Sequence, residues 1–311
     1  MPTHIKTGVI PVAGLGTRLL PATKAIPKEM VTLVDRPAIQ YVVEEAAQAG
    51  LQRLVLVTRT GKEAIADHFD THYELEHTLA ARNKQTLLEA VQAVKPADMQ
   101  IICVRQPQAQ GLGHAILCAQ EVIGQEEEAF AVLLPDMLID SRAYQHALTP
   151  YKNDLAAMLA AYQATQQGQI MLMPVAQDQV QKYGIAALAA GKQQLAAGEY
   201  APLSQLVEKP QPEQAPSQLA VVGRYILPRI LFSYLAQTPV GAGNEIQLTD
   251  ALAALLQDHK LSAYCMHGQV HDCGDPMGFL QANVHYGCQH PVWGKAFSAY
   301  LQQYLASTHL L

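Results

Sequence analysis

Five short runs, 7–11, 54–58, 101–104, 130–134 and 170–175, are apolar almost throughout instead of alternating with polar residues. A strand with one wet face alternates, so continuous runs of this kind need cover on both faces. Segments of helical periodicity separate them: 37–49, 62–69, 86–94, 114–122 and 155–166. In the first, Ile39, Val42, Val43, Ala46 and Ala47 share one face. Asp35 is placed to cap that helix, Pro37 suits its first turn and Gly50 can end it. Strand and helix in alternation predict an α/β fold, doubly wound around a mostly parallel sheet.

The alternation breaks near residue 177. From there to 226 the chain is rich in Gln, Ala, Gly and Pro, with short strand candidates at 184–188, 203–208 and 220–225 and a Pro-containing loop at 211–217. This stretch reads as an extension over the ligand edge of the sheet. Helices are expected again at 227–235 and 246–256, then strands at 261–266 and 269–272. Asp275-Pro276 opens a helix over 277–286, ended by Gly287. A last amphipathic helix, 292–305, suits packing on the domain or on another subunit. The expected organisation is one domain over 1–311: a core at 5–176, the extension at 177–226, a return to the core at 227–291, and a C-terminal helix within 292–311.

The first apolar run leads into VAGLGTRLLPATKAIPKEM, residues 12–30. Gly14 and Gly16 sit there with Arg18, Lys24 and Lys28, and no acidic residue precedes Glu29. Backbone amides freed by glycine, together with uncompensated cations, suit a polyanion such as a nucleoside triphosphate. No GxxxxGK[ST] string is present, and Leu19 stands where GxGxxG needs its third glycine. The segment is therefore a loop that wraps a ligand, not a turn feeding a helix, which argues against a P-loop ATPase or a nicotinamide-dependent oxidoreductase.

Ligands of open α/β sheets sit beyond the carboxyl ends of strands. Gln106 follows the third run and can read a base edge, since an amide both donates and accepts. Asp136 follows the fourth run and Asp272 ends 269–272; each is a natural Mg²⁺ ligand beside phosphates. Glu208 can accept from sugar hydroxyls and Lys209 can meet a phosphate. By residue type alone, Gln106 is equally a surface glutamine, either aspartate a cap or turn former, and Glu208–Lys209 an exposed ion pair.

The net charge is −6, with no Lys/Arg-rich block, which argues against nucleic acid or a membrane surface as partner. No apolar stretch approaches the ~20 residues of a membrane span, and MPTHIKTGVI lacks a signal-peptide pattern. Five cysteines without a CxxC pair fit reduced thiols in a cytoplasmic enzyme. The histidines are scattered, with no HExxH.

Taken together and in order, AGLGTRLLPATKAIPKEM, VRQ, GLGHA, LLPD, YGI, VEKP, GRY, GAGNEIQLTDA and HDCGDPMGFLQANV resemble the bacterial UTP–glucose-1-phosphate uridylyltransferases, from about residue 6 to 286. Other sugar nucleotidyltransferases would share only the GLGTR and EKP pieces. The resemblance implies a Rossmann-like nucleotidyltransferase fold in which 177–226 is sugar-binding. It also implies Mg²⁺-dependent formation of UDP-glucose and pyrophosphate from UTP and glucose 1-phosphate, in a homo-oligomer, dimer or tetramer. By that resemblance Ala13 and Gly14 meet the uridine, Gln106 and Gly111 the uracil, and Arg18 and Lys28 the triphosphate. Asp136 and Asp272 hold Mg²⁺, Gly184 and Glu208 contact the glucose, Lys209 meets its phosphate, and Glu29 helps shape the nucleotide pocket. Leu19 and Val31-Thr32 depart from the family pattern without touching a proposed chemical group. Two alternatives remain at this point: a nucleotidyltransferase with another nucleotide or sugar phosphate, and a non-catalytic paralogue that modulates a true uridylyltransferase.

Overall fold

The apolar runs become strands of a nine-stranded sheet in a computed structural model that describes residues 5–145, 149–189, 192 and 194–308. Residues 1–4 and 309–311, at the ends of the expected domain and C-terminal helix, lie outside the described residues. The strands are β1 (Thr7–Pro11), β2 (Thr32–Leu33), β3 (Arg36–Pro37), β4 (Arg53–Thr58), β5 (Gln100–Arg105), β6 (Ala129–Leu133), β7 (Met137–Asp140), β8 (Gly168–Pro174), β9 (Gly184–Leu188), β10 (Tyr200–Glu208), β11 (Leu219–Pro228), β12 (Leu261–Cys265) and β13 (Gln269–Asp272). The helices are α1 (Ala38–Gln48), α2 (Glu63–Phe69), α3 (Tyr73–Ala81), α4 (Gln85–Gln92), α5 (Gly111–Leu117), α6 (Asp154–Thr165), α7 (Leu231–Gln237), α8 (Leu248–Asp258), α9 (Pro276–Cys288) and α10 (Gly294–Ser307).

The sheet order is β5-β4-β1-β6-β11-β8-β12-β10-β9, and only β10 and β11 run against the others. Adjacent residues of one strand enter different cores. Ile10, Leu54 and Leu56 pack with Ile39 and Val42 of α1 and with Leu155 and Met158 of α6. Val9, Val55 and Val57 pack with Ile116 of α5, Leu235 of α7 and Leu252 of α8. Both faces are dry, which is why these strands carry no polar alternation. The third run differs: β5 is an edge strand, and its residues are half-buried or exposed.

Segment 177–226 is not an extension laid over the sheet. Its strand β11 lies between β6 and β8, in the middle of the sheet, and β9 and β10 form the far edge. With no helix between these strands the chain returns antiparallel, which short connections allow. Its composition hid this, because β9 and β10 are short or interrupted and β10 exposes alternate residues. Because β11 continues to Pro228, the next helix starts at Leu231 and not at 227.

Other helix boundaries also moved. The β2–β3 pair places Asp35 in its turn, where it engages Arg36 and His290, so α1 begins after Pro37 with no side-chain cap. Helix α5 starts at Gly111 itself, and α3 was not foreseen. Gly287 lies inside α9, against the Phe297 ring of α10, so the absent side chain admits the neighbouring helix and does not end its own. Asp275 does cap α9, accepting from the amides of Met277 and Gly278. No helix among the described residues is long and apolar enough to cross a membrane.

Candidate active site

The loop after β1 leaves the sheet as the sequence requires. Val12 N still bonds Val57 O at 2.9 Å, and then single turns of 3-10 helix at Thr17–Leu19, Ala22–Lys24 and Lys28–Met30 wrap the chain around a cavity. The Thr23 hydroxyl donates to Gly16 O at 2.7 Å and ties the loop to itself. The cavity, of about 440 Å³, is lined by Ala13, Gly14, Lys28, Gln106, Gly111 and Asp136 among others.

Its far wall is built from two crossing segments. Gln106 N bonds Thr58 O at 2.8 Å, which continues the β4–β5 ladder by one residue and sets the side chain at the strand end. The Gln106 amide donates to Gly111 O at 3.1 Å and lies 3.0 Å from His114 Nδ1. Segment 241–249 crosses the start of α5: Ile246 N bonds Gln110 O at 2.8 Å and Gly113 N bonds Ile246 O at 2.9 Å. Gly111, at φ +87°, lies under Glu245; a Cβ there would come 2.6 Å from Glu245 Cβ. Only glycine meets both demands.

A second cavity, of about 450 Å³, holds Arg18, Tyr183, Gly184, Glu208, Lys209, Tyr225, Thr249 and Asp272 in its lining and shares Asp136, Leu112 and Leu134 with the first. Glu208 Oε2 accepts from the Thr249 hydroxyl at 2.7 Å, and Glu208 Oε1 is 3.4 Å from Lys209 Nζ. Lys209 is held in the left-handed region, φ 44°, with its amide bonded to Tyr183 O at 3.0 Å.

The two cavities meet at a charge cluster. β7 and β13 pair antiparallel with Met137 opposite Asp272, so Asp136, one residue before, arrives beside a residue far along the chain. Cys273 N bonds Asp136 O at 2.7 Å and Gly274 N bonds Asp272 Oδ1 at 2.8 Å, which fixes both. Lys28 Nζ is 2.6 Å from Asp136 Oδ2; Arg18 is 3.7 Å from Asp136 and 3.9 Å from Asp272. A Cβ on Gly274 would stand 2.5 Å from Arg18 Nη2, 2.9 Å from Asp272 Oδ1 and 3.0 Å from Asp136 Oδ2, so Gly274 lets the cluster close.

Burial alone would raise the Asp136 carboxyl, but the charge and hydrogen bond of Lys28, with Arg18 behind, hold it below the usual carboxylate range. Burial raises Asp272; the Gly274 amide opposes this and the charge on Asp136 adds to it. Two carboxylates that repel one another and open on a cavity could hold part of a cation's shell. Among the described residues no three His, Cys, Asp or Glu side chains gather as a closed metal site. The pair therefore fits an ion whose remaining ligands are phosphates and water, as Mg²⁺ prefers. The Cys273 thiol beside them is pushed up to about 12, chiefly by burial, which leaves it protonated and unreactive.

The residues singled out in the sequence thus converge, with two exceptions. Glu29 lines neither cavity; it is buried, with Oε2 2.7 Å from Lys62 Nζ. The 3-10 turn at Lys28–Met30 sends adjacent side chains to different sides, so Lys28 meets Asp136 while Glu29 goes into the fold. Lys24 also lines neither cavity. Glu245, Thr249, Tyr183 and Tyr225 also line the cavities and had no role in the sequence reading, although they stand in the strings GAGNEIQLTDA, YGI and GRY.

Residues 7–288 match the family model described as nucleotidyl transferase. The chain belongs to this family. A nucleotidyl transferase of Haemophilus influenzae, named UTP–glucose-1-phosphate uridylyltransferase, is 48% identical over 300 residues, covering 96% of this chain and 99% of that protein. The solved UTP-bound UGPase of Acinetobacter baumannii superposes with a TM-score of 0.87 at 46% identity, covering 96% of this chain and 99% of that one. A UDP-glucose pyrophosphorylase solved in complex with UDP-glucose superposes with a TM-score of 0.78 at 39% identity, covering 91% of this chain and 98% of that one. The α/β class expected from the strand–helix order and the nucleotidyltransferase fold implied by the resemblance are both the fold this chain has.

Proposed function

We infer that this nucleotidyl transferase moves a uridylyl group from UTP to glucose 1-phosphate, giving UDP-glucose and pyrophosphate. The observation that carries the reading is the meeting of two cavities at Asp136, Asp272, Arg18 and Lys28. Two substrates in neighbouring cavities, with cations and carboxylates at the join, suit a phosphoryl-group transfer between them. The name of the Haemophilus influenzae relative, and the UTP and UDP-glucose bound in two solved relatives, point to UTP and glucose 1-phosphate as the pair.

In this reading Ala13, Gly14, Gln106 and Gly111 bind the uridine in the first cavity. Gly184 and Glu208 bind the glucose in the second, with Thr249 orienting Glu208. Lys209 holds the sugar phosphate, one of whose oxygens attacks the α-phosphorus in line while pyrophosphate leaves. That oxygen is already ionised at neutral pH, so no general base is needed. Catalysis rests on aligning two anions and on cations fixed where charge gathers. Arg18 and Lys28 hold the β- and γ-phosphates as they depart. Asp136 and Asp272 would hold Mg²⁺, which when bound supplies positive charge to the phosphates.

We further propose a homo-oligomer in the cytoplasm. Met277, Leu280 and Val284 of α9 and Tyr300 and Tyr304 of α10, with Trp293 just before α10, expose apolar surface that a second copy would cover. The five cysteines are free thiols, as a reducing compartment keeps them. The deciding experiment is pyrophosphate release with a panel of nucleoside triphosphates and sugar 1-phosphates, with and without Mg²⁺. The expected result is Mg²⁺-dependent release with UTP and glucose 1-phosphate. A preference for dTTP would change the substrate, and no release with any pair would favour a non-catalytic binding role.

A further inference from the structure

Glu29 and Lys62 form a buried pair that the chemistry above does not use. Their side chains are 1% and 7% exposed, with Lys62 Nζ 2.7 Å from Glu29 Oε2. The other carboxylate oxygen, Glu29 Oε1, is buried with no hydrogen-bond partner among the described residues. The carboxylate is therefore tethered on one side only, by one ammonium. A charge buried on these terms is tolerated while its partner is present.

Glu29 is the covalent neighbour of Lys28, whose ammonium lies 2.6 Å from Asp136. Burial raises the Glu29 carboxyl; the charge of Lys62 opposes this most strongly and that of Lys28 next. Three carboxylates around the loop lie beside cations: Glu29 beside Lys62, Asp136 beside Lys28 and Arg18, and Asp272 beside Arg18. Remove Lys62, and the cation left to a buried Glu29 is Lys28.

We propose that Lys62 is a positioning residue for nucleotide binding: it occupies the Glu29 carboxylate so that the Lys28 ammonium stays on the Asp136 side of the loop, free for the triphosphate. Lys62 stands immediately before α2, beyond β4, and lines neither substrate cavity. Its effect passes through charge pairing under the loop. The proposal rests on the uridylyl-transfer reading for the identity of the nucleotide.

The test compares the full-length wild type with Lys62→Met, Lys62→Gln, Lys62→Arg and the double variant Glu29→Gln/Lys62→Met. UTP affinity is measured by titration calorimetry, turnover by pyrophosphate release, and folding by thermal melting. UTP binding reads the proposal even if glucose 1-phosphate proves not to be the acceptor, so wild-type turnover tests the functional reading separately. Expected for Lys62→Met are at least a tenfold loss of UTP affinity and a matching rise in KM for UTP, with KM for glucose 1-phosphate little changed. Lys62→Arg should keep most of the affinity. The double variant, with no buried charge left to capture Lys28, should recover most of what Lys62→Met loses. Lys62→Gln carries the same expectation should Lys62→Met fail to fold. UTP affinity unchanged in a folded Lys62→Met or Lys62→Gln chain overturns the proposal. So does a double variant as impaired as the single one, since lost packing would then explain the defect.

Discussion

Lys209→Ala is the substitution that best separates chemistry from folding in this chain. The Lys209 side chain is 61% exposed, and its partner Glu208 lies 3.4 Å away and is part-exposed, so the pair contributes at most about 1 kcal/mol to stability. The backbone at Lys209 is left-handed, φ 44°. Alanine carries the same Cβ as lysine, so that conformation costs the same before and after the exchange. Folding should therefore change by no more than about 1 kcal/mol, seen as a nearly unshifted melting curve. The chemistry should change far more. One fixed group facing developing charge contributes about 3–4 kcal/mol in enzymes that work this way, which corresponds to a loss of about a hundredfold or more. Steady-state pyrophosphate release, with UTP saturating and glucose 1-phosphate varied, reads this as a fall in kcat and in kcat/KM. Unchanged kcat and KM for glucose 1-phosphate in a folded variant would refute the assignment of Lys209 to the transferred group's acceptor. A rise in KM for glucose 1-phosphate with kcat unchanged would place its effect in uniform binding instead.

Three further outcomes follow from the packing. Gly111→Ala forces a side chain into a left-handed position 2.6 Å from Glu245 Cβ, so it should cost about 2–4 kcal/mol and weaken UTP binding, checked by urea unfolding and calorimetry. Arg224 is fully buried; it bonds both Glu45 oxygens at 2.9 and 2.7 Å and the carbonyls of Leu134 and Met137 that flank Asp136. Arg224→Met should lose about 3–5 kcal/mol because Glu45 is left buried and unpaired, and Glu45→Gln/Arg224→Met should be less damaging. At Asp140, burial alone would raise the carboxyl, but Arg142 and His285 pull it down to about 2. Its folded value lies below the unfolded one, so its contribution is present above about pH 4 and lost as pH falls towards 2. After allowance for its partial solvent contact this is about 1–2 kcal/mol. The urea midpoint of wild type should exceed that of Asp140→Asn at pH 6, and the gap should close as the pH falls below 4.

Much of the site is legible in the chain because its chemistry is carried by local strings. Gly14, Arg18 and Lys28 come from one loop, Gln106 stands directly after β5 and Asp136 three residues after β6, where ligands of such sheets bind. Glu29 follows Lys28 in the string yet lines neither cavity. One residue along a 3-10 turn changes the direction of a side chain, and a string of letters does not show which side faces the cavity. Lys62, Glu245 and Thr249 gave no local sign, since each matters through a partner far away in sequence: Glu29, Gly111 and Glu208.

By itself the sequence determined the α/β class, because continuous apolar runs can be satisfied only between two helical layers. It determined the wrapping character of the first loop through Gly14, Gly16 and the missing third glycine. Tertiary structure alone decided that β11 crosses the centre of the sheet, since hydrophobic periodicity reports burial and not which strand lies alongside. It alone decided that Asp136 and Asp272 stand together, because the β7–β13 register joins residues whose separation along the chain carries no signal. It alone decided which of two adjacent charges, Lys28 or Glu29, faces the cavity, because a buried carboxylate goes where a cation waits for it, and that cation comes from the start of another helix.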